Sequence, residues 1–240
     1  RMRKYPLMLD YMRCMLEGKS LRACANEVGI CLKTSFEWRH KILAAIRALE
    51  GGISFSGIVE ADELLMNYSE KGRKFKSKEE YRRAKKKKHP KVAVLVVTDR
   101  EGNLLFKQVG EKKVKNEQLR EELKNRLSKS NLICVKPKKE FKKAVKSLQS
   151  KKVIVNKKQL KRGIYSVKIV ESKISDFKTW LSRFHGVATK YLQSYLMWFV
   201  IMNKYLKELI DPDIGRLLNL SSHDRWAWDK YREIITQRYE

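Results

Sequence analysis

The amino-acid sequence predicts an α/β protein, a small N-terminal helical bundle followed by a mixed sheet with flanking helices. Three observations carry that expectation. Apolar residues recur at helical spacing up to about residue 50, alternate in period two from about residue 53, and return to helical spacing from about residue 167. The 240 residues are 42% hydrophobic and 10% aromatic, ample for a packed core. Charged residues make up 34% and prolines number only four, which excludes collagen-like, mucin-like and low-complexity chains.

The helices come first. Residues 3–17 place Leu7, Met8, Tyr11, Met12, Met15 and Leu16 at helical spacing, and Gly18 ends the run. Ser20 stands as N-cap ahead of a second helix over 21–28, and Gly29-Ile30-Cys31 makes a tight turn into a third over 33–49. Helix, glycine turn, helix is the pattern of a helix-turn-helix, whose recognition helix enters the major groove with its early residues. Phe36, Ile42, Leu43 and Ile46 form the inward stripe, leaving Lys33, Thr34, Ser35, Arg39 and Lys41 as expected nucleic-acid contacts. A plain three-helix bundle would show the same spacing.

Strands are expected over 53–63, 91–98 and 104–109, the last two joined by the turn Asp99 to Asn103. A helix over 116–127 carries Leu119, Leu123 and Leu127, a fourth strand runs from Asn131 to Lys136, and Val153-Ile154-Val155 suits a fifth. Helices follow through Val167, Val170, Ile174, Phe177 and Leu181, and from Val187 to about Ile210. Three antiparallel strands, a helix and a parallel return strand is the order of the RNase H-like fold. The expected domains are a helix-turn-helix over 1–50, an RNase H-like body over 51–210 with a basic insertion at 71–91, and a helical tail over 211–240. The aromatic helix with Tyr191, Tyr195, Trp198, Phe199 and Tyr205 suits a core element or an interface.

Charge narrows the partners. Lys and Arg total 55 against 27 Asp and Glu, a net +28, and a pI near 10.0 implies strong self-repulsion that a polyanion relieves. Residues 71–91 hold twelve Lys or Arg against two Glu and read as a solvated basic loop suited to backbone phosphates. Arg73, Lys74, Arg82, Arg83, Lys85, Lys86, Lys87 and Lys88 are its expected contacts. The longest apolar run, Leu196 to Met202, falls far short of the roughly 20 residues a membrane span needs, and no signal-peptide pattern opens the chain. Double-stranded DNA is the expected partner, no membrane, and the expected location is cytoplasmic and nucleoid-associated. Cys14, Cys24, Cys31 and Cys134 form no CxxC pair and read as buried free thiols.

Asp62 ends an apolar strand where packing gives no reason for an acid, which makes it the leading catalytic candidate. Glu60 shares its face by alternation and Glu63 does not. Asp99, Glu140 and Asp176 are further acids, better explained by a turn and solvated helices. Gly57 to Glu63, Phe184 to Leu196 and Phe36 to Leu43 resemble bacterial insertion-sequence DDE transposases of the group related to eukaryotic Merlin elements. The resemblance spans roughly residues 7–205. It implies a DNA strand-transferase with an RNase H-like domain, a carboxylate triad binding Mg²⁺ or Mn²⁺, and a homodimer or larger assembly on DNA. The family's zinc ribbon has no counterpart here, and a chain opening on Arg1 reads as a fragment.

Laid on the family pattern, the third acid falls on Glu171 and the second on Lys136, which lies 35 residues before it. The resemblance therefore implies that Asp62 and Glu171 are retained, and bind metal only in an active enzyme, while a cation replaces the middle acid. Lys136 is expected to pair with both acids in place of metal. Three functions remain open: a transposase-derived DNA-binding protein, catalytically impaired or inactive and recruited for a host role, with no cofactor; an active Mg²⁺- or Mn²⁺-dependent transposase; and an RNA-binding or ribonucleoprotein component.

Overall fold

A computed structural model describes residues 5–205 except 88, 149 and 157–159. The expected tail over 211–240 and Lys88 lie outside the described residues. The chain divides into two compact units. The first takes in residues up to 53 together with 177–185 and the chain from 193; the second takes in 54–176 and 186–192.

In the first unit, helices α1 (Tyr5–Leu16), α2 (Leu21–Val28) and α3 (Leu32–Ile46) precede a 3-10 turn at Arg47–Gly52. The Ser20 hydroxyl accepts from Ala23 N and caps α2 as expected, and Gly29 closes α2 at φ 70°, a conformation that costs glycine nothing. Cys31 departs from expectation. It is exposed because its thiol caps α3, and hydrogen bonds from Thr34 hold it below the usual thiol range. Cys14, Cys24 and Cys134 are buried free thiols.

The same unit includes the later turns of α7 (Lys168–Ser182) and α8 (Thr189–Tyr205). Trp180 packs edge-on to Phe184 and Trp198 at centroid distances of 4.9 and 5.0 Å, and Tyr195 lies 5.2 Å from Phe184. Tyr195, Trp198 and Phe199 are buried in this cluster, so the aromatic face of α8 is core.

The second unit is built on a five-stranded sheet ordered β3-β2-β1-β4-β5. Its strands are β1 (Ile58–Met66), β2 (Val92–Asp99), β3 (Leu104–Glu111), β4 (Leu132–Val135) and β5 (Lys151–Ile154). The pairs β1–β2 and β2–β3 are antiparallel, and β1–β4 and β4–β5 are parallel. That order and direction is the RNase H-like arrangement. β2 is buried at every position, as a central strand covered on both faces must be. Helices α5 (Asn116–Lys124) and α6 (Lys139–Lys146) pack against each other, and α6 also contacts β4 and β5. A small hairpin, β6 (Lys161–Arg162) with β7 (Tyr165–Ser166), escapes periodicity because two-residue strands carry no pattern.

The basic insertion leaves and rejoins the sheet between paired neighbours, Met66 and Val92. Its exit is clasped reciprocally: Ser69 N donates to Thr189 Oγ1 at 2.9 Å and Thr189 N to Ser69 O at 2.8 Å. Its return is fixed by Lys112 N on Lys91 O at 2.6 Å. Within it stands α4 (Lys78–Lys86), where a wholly solvated loop was expected. A reciprocal cap explains the helix: Ser77 Oγ accepts from Glu80 N at 3.1 Å, while Glu80 Oε2 reaches back to Lys76 N at 2.7 Å.

Candidate active site and nucleic-acid surfaces

β1 and β4 run side by side as far as the pair Ala61↔Val135. One residue further, Asp62 continues β1 while β4 gives way to Lys136-Pro137-Lys138, since proline offers no N–H to extend the ladder. The two lysines therefore leave the sheet beside Asp62. Lys136 Nζ lies 2.6 Å from Asp62 Oδ2 and 2.5 Å from Glu171 Oε1. Lys138 Nζ lies 3.0 Å from Asp62 Oδ1 and 2.8 Å from Glu63 Oε1. Both oxygens of the buried Asp62 carboxylate thus accept from ammonium groups. Burial works against the Lys136 charge, but the hydrogen bonds it donates to Asp62 and Glu171, with their charges, outweigh it and raise its pKa. Lys138 and its link to Glu63 escape a reading of the sequence; the two-residue repeat in Lys136-Pro137-Lys138 is the signal that points to them.

Glu171 sits in the first turn of α7, and that turn is held by Glu60. Glu60 is fully buried; its carboxylate accepts from Ser166 Oγ at 3.0 Å, Ile169 N at 2.9 Å and Val170 N at 3.1 Å. A strand carboxylate thus serves as the N-cap that α7 lacks locally. Burial pushes the Glu60 carboxyl up, against the lowering effect of those donors.

These residues do not fit a pair of divalent ions. A divalent ion about 4 Å from an ammonium is opposed by about 8 kcal/mol at an effective dielectric near 20, and Asp62 has no oxygen free of an ammonium contact. Among the described residues, no three His, Cys, Asp or Glu side chains gather as a metal cage. The other acids are occupied or remote in role. Asp99 is buried and accepts from Ser56 N, Glu101 N, Asn103 N and Asn103 Nδ2 at 2.7 to 3.0 Å, a turn-forming set. Glu140 pairs with Lys113 at 3.2 Å, and Asp176 is solvent-exposed.

On α3, the expected contacts separate. Lys33 is exposed, and Thr34 and Lys41 are partly exposed. Ser35 and Arg39 are fully buried, which corrects the expectation that they face DNA. Ser35 Oγ donates to Leu21 O at 2.8 Å and meets Tyr11 OH at 2.9 Å, tying the three helices together. The Arg39 guanidinium lies 5.1 Å from the Trp198 ring centroid, and Nη2 donates to Lys19 O at 2.7 Å. Its Nε and Nη1 are buried without a hydrogen-bond partner. A buried cation with incomplete partners is weak support for stability. Arg39→Met is therefore expected to melt at or above the wild-type temperature and to keep duplex affinity, whereas Arg39→Ala opens a cavity costing about 3 kcal/mol. Thermal melts and an affinity titration check this; a folded Arg39→Met that no longer binds DNA would return Arg39 to the interface.

In the insertion, Arg73 is held by Glu70 at 2.8 Å and Glu80 at 3.0 Å and braces α4. Lys74, Arg82, Arg83, Lys85, Lys86 and Lys87 are exposed.

The profile of the ISXO2-like transposase domain matches residues 54–201. Among solved structures, the crystal structure of a pre-cleavage Mos1 transpososome aligns with a TM-score of 0.30 and 10% identity, over 92% of this chain and 75% of that one. No curated protein matches significantly. Among the described residues no helix is long and apolar enough to cross a membrane.

Proposed function

Because the chain belongs to the ISXO2-like transposase domain family, matched over residues 54–201, we propose that it is a transposase-related DNA-binding protein whose strand-transfer chemistry has been lost. The observation that carries the loss is Lys136. Its ammonium, 2.6 Å from Asp62 and 2.5 Å from Glu171, joins the retained acids by charge pairing and takes up the oxygens that metal chemistry requires. Lys138 occupies the remaining oxygen of Asp62. Asp62 and Glu171 act here as structural anions, and β1, the first turn of α7 and the two lysines form one ion-paired cluster. Mg²⁺ or Mn²⁺, which the family's chemistry uses, is not part of the resting protein.

DNA is gripped through its phosphates. The exposed lysines and arginines of α4 and its flanks supply that contact, and Lys33 and Thr34 in the first turn of α3, with Lys41 further along it, give the helix-turn-helix its groove-facing residues. The protein works as a homodimer or larger nucleoprotein assembly and serves a host role rather than transposition.

The test combines binding and cleavage in the same tubes. Supercoiled plasmid and short duplex are titrated with protein in Mg²⁺ or Mn²⁺, with Asp62→Ala as control. Tight, salt-sensitive binding without strand cleavage supports the proposal. Cleavage that disappears in Asp62→Ala would overturn the claim of lost chemistry, and absence of duplex binding would overturn the claim of DNA binding.

A further inference from the structure

The lysines of α6 belong neither to the insertion nor to the acidic cluster. The helix is Lys139-Glu140-Phe141-Lys142-Lys143-Ala144-Val145-Lys146. Phe141, Ala144 and Val145 are buried, while Lys139, Lys142, Lys143 and Lys146 are all exposed. The strand that follows, β5, is an edge of the sheet and opens on exposed Lys151 and Lys152.

The protein itself answers the charge on this face only in part, through the field of Glu140 on Lys139 and Lys143. Among the described residues, no carboxylate pairs with any of the four α6 lysines. The helix's own acid, Glu140, is drawn to Lys113. The packing neighbour α5 carries Glu117, Glu121 and Glu122, yet Glu122 lies within pairing distance of Lys107 and Arg126, not α6. Four lysines against one carboxylate on an eight-residue helix repel one another, and helix propensity alone does not offset that repulsion. Packing of Phe141, Ala144 and Val145 holds the helix; a polyanion would relieve its outer face.

We infer that α6, extended by the start of β5, is a second phosphodiester-binding surface, a backbone grip on duplex DNA separate from the 71–91 insertion. It rests on the DNA-binding reading above. The spacing fits a phosphate ladder, since Lys139, Lys142 and Lys146 stand three and four residues apart, about 4.5 and 6 Å along a helix axis, comparable to the advance of a backbone strand over one or two nucleotides. An anionic membrane is the disfavoured partner. Surface helices bind bilayers by inserting apolar side chains, and every apolar residue of α6 is already buried in the core.

The experiment compares K142Q/K143Q/K146Q with K112Q/K124Q/K178Q, which removes equal charge from exposed lysines elsewhere. Both are measured against the wild-type chain for duplex affinity across a salt series, with melting checked to show that each folds. Removing one lysine–phosphate pairing lowers the slope of log K against log salt by about 0.9, so the α6 variant should lose about 2 to 3 and the control less than about 1. Lysine acetylation with and without duplex gives an independent reading, with Lys142, Lys143 and Lys146 protected by DNA. If the wild type binds duplex but the two variants behave alike and no protection appears, the α6 surface is overturned while the DNA-binding reading stands. If the wild type binds no duplex, both fall. If the α6 variant loses binding to anionic vesicles and keeps its duplex slope, the surface is a lipid site and the inference is overturned.

Discussion

Lys136→Asp is expected to make the protein's stability depend on divalent ions. The wild type should melt at the same temperature in chelator and in millimolar Mn²⁺, because ammonium groups already neutralise Asp62 and Glu171. In the variant three carboxylates face one another with Lys138 as the remaining counter-charge. Loss of a partner from a buried pair costs about 3–5 kcal/mol; partial exposure of Lys136 and Glu171 reduces this to about 2–3 kcal/mol. For a chain of this size that is a fall of roughly 5–10 °C in chelator. Mn²⁺ at about 100 times its dissociation constant would restore about 2.7 kcal/mol. The double variant with Lys138→Met removes both ammonium groups and should show the larger metal response. Melting with and without Mn²⁺ decides it: a metal shift in the wild type, or none in either variant, would sink the counter-charge account.

The second large effect belongs to Glu60. Glu60→Ala removes the acceptor for two backbone N–H groups and the Ser166 hydroxyl in a fully buried setting. A lost cap of about 1–2 kcal/mol and a comparable cost for stranded donors sum to about 3 kcal/mol, or roughly 10 °C. Glu60→Gln is isosteric: its carbonyl can accept from Ile169 and Val170 and its amide can donate to Ser166, so it should lose far less. The pH profile distinguishes charge from shape. Burial raises the Glu60 carboxyl pKa above the unfolded value, so between those two values the folded state binds the extra proton and stability falls as pH rises. The penalty is absent below the unfolded pKa and complete above the folded one. The wild type should therefore gain on Glu60→Gln as pH falls through the carboxylate range, and parallel denaturation curves across that range would refute a buried, charge-bearing cap.

The sheet was legible from its period-two apolar runs, whereas the Asp62–Lys136–Glu171 grouping was legible only through the resemblance to insertion-sequence transposases; the sheet explains why Lys136 meets Asp62. An apolar run ending at Val135 with Lys136-Pro137 after it stops beside Asp62, the acid one residue past the paired stretch of the neighbouring strand. Arg39 shows where residue type misleads. Positions 35, 39, 42 and 46 follow the four-three-four spacing of an inward stripe, so position placed Ser35 and Arg39 inside while polarity suggested outside. α4 was obscured by its like charges, although Ser77 followed by Glu80 is a capping signal independent of net charge. Glu60 as a cap was illegible in principle, because its partners lie more than a hundred residues away and depend on the sheet being assembled.

The mouth of the basic insertion has a bearing on how this protein can vary. Met66 and Val92 are paired across the sheet, and the segment's exit and return are each pinned by backbone contacts close to that pair. Closing such a loop costs entropy that grows only logarithmically, so halving or doubling its length changes stability by about 0.6 kcal/mol. The insertion is thus thermodynamically detachable: its length and charge can be rewritten for a different duplex while the register of β1 against β2, and with it the position of Asp62, stays as it is.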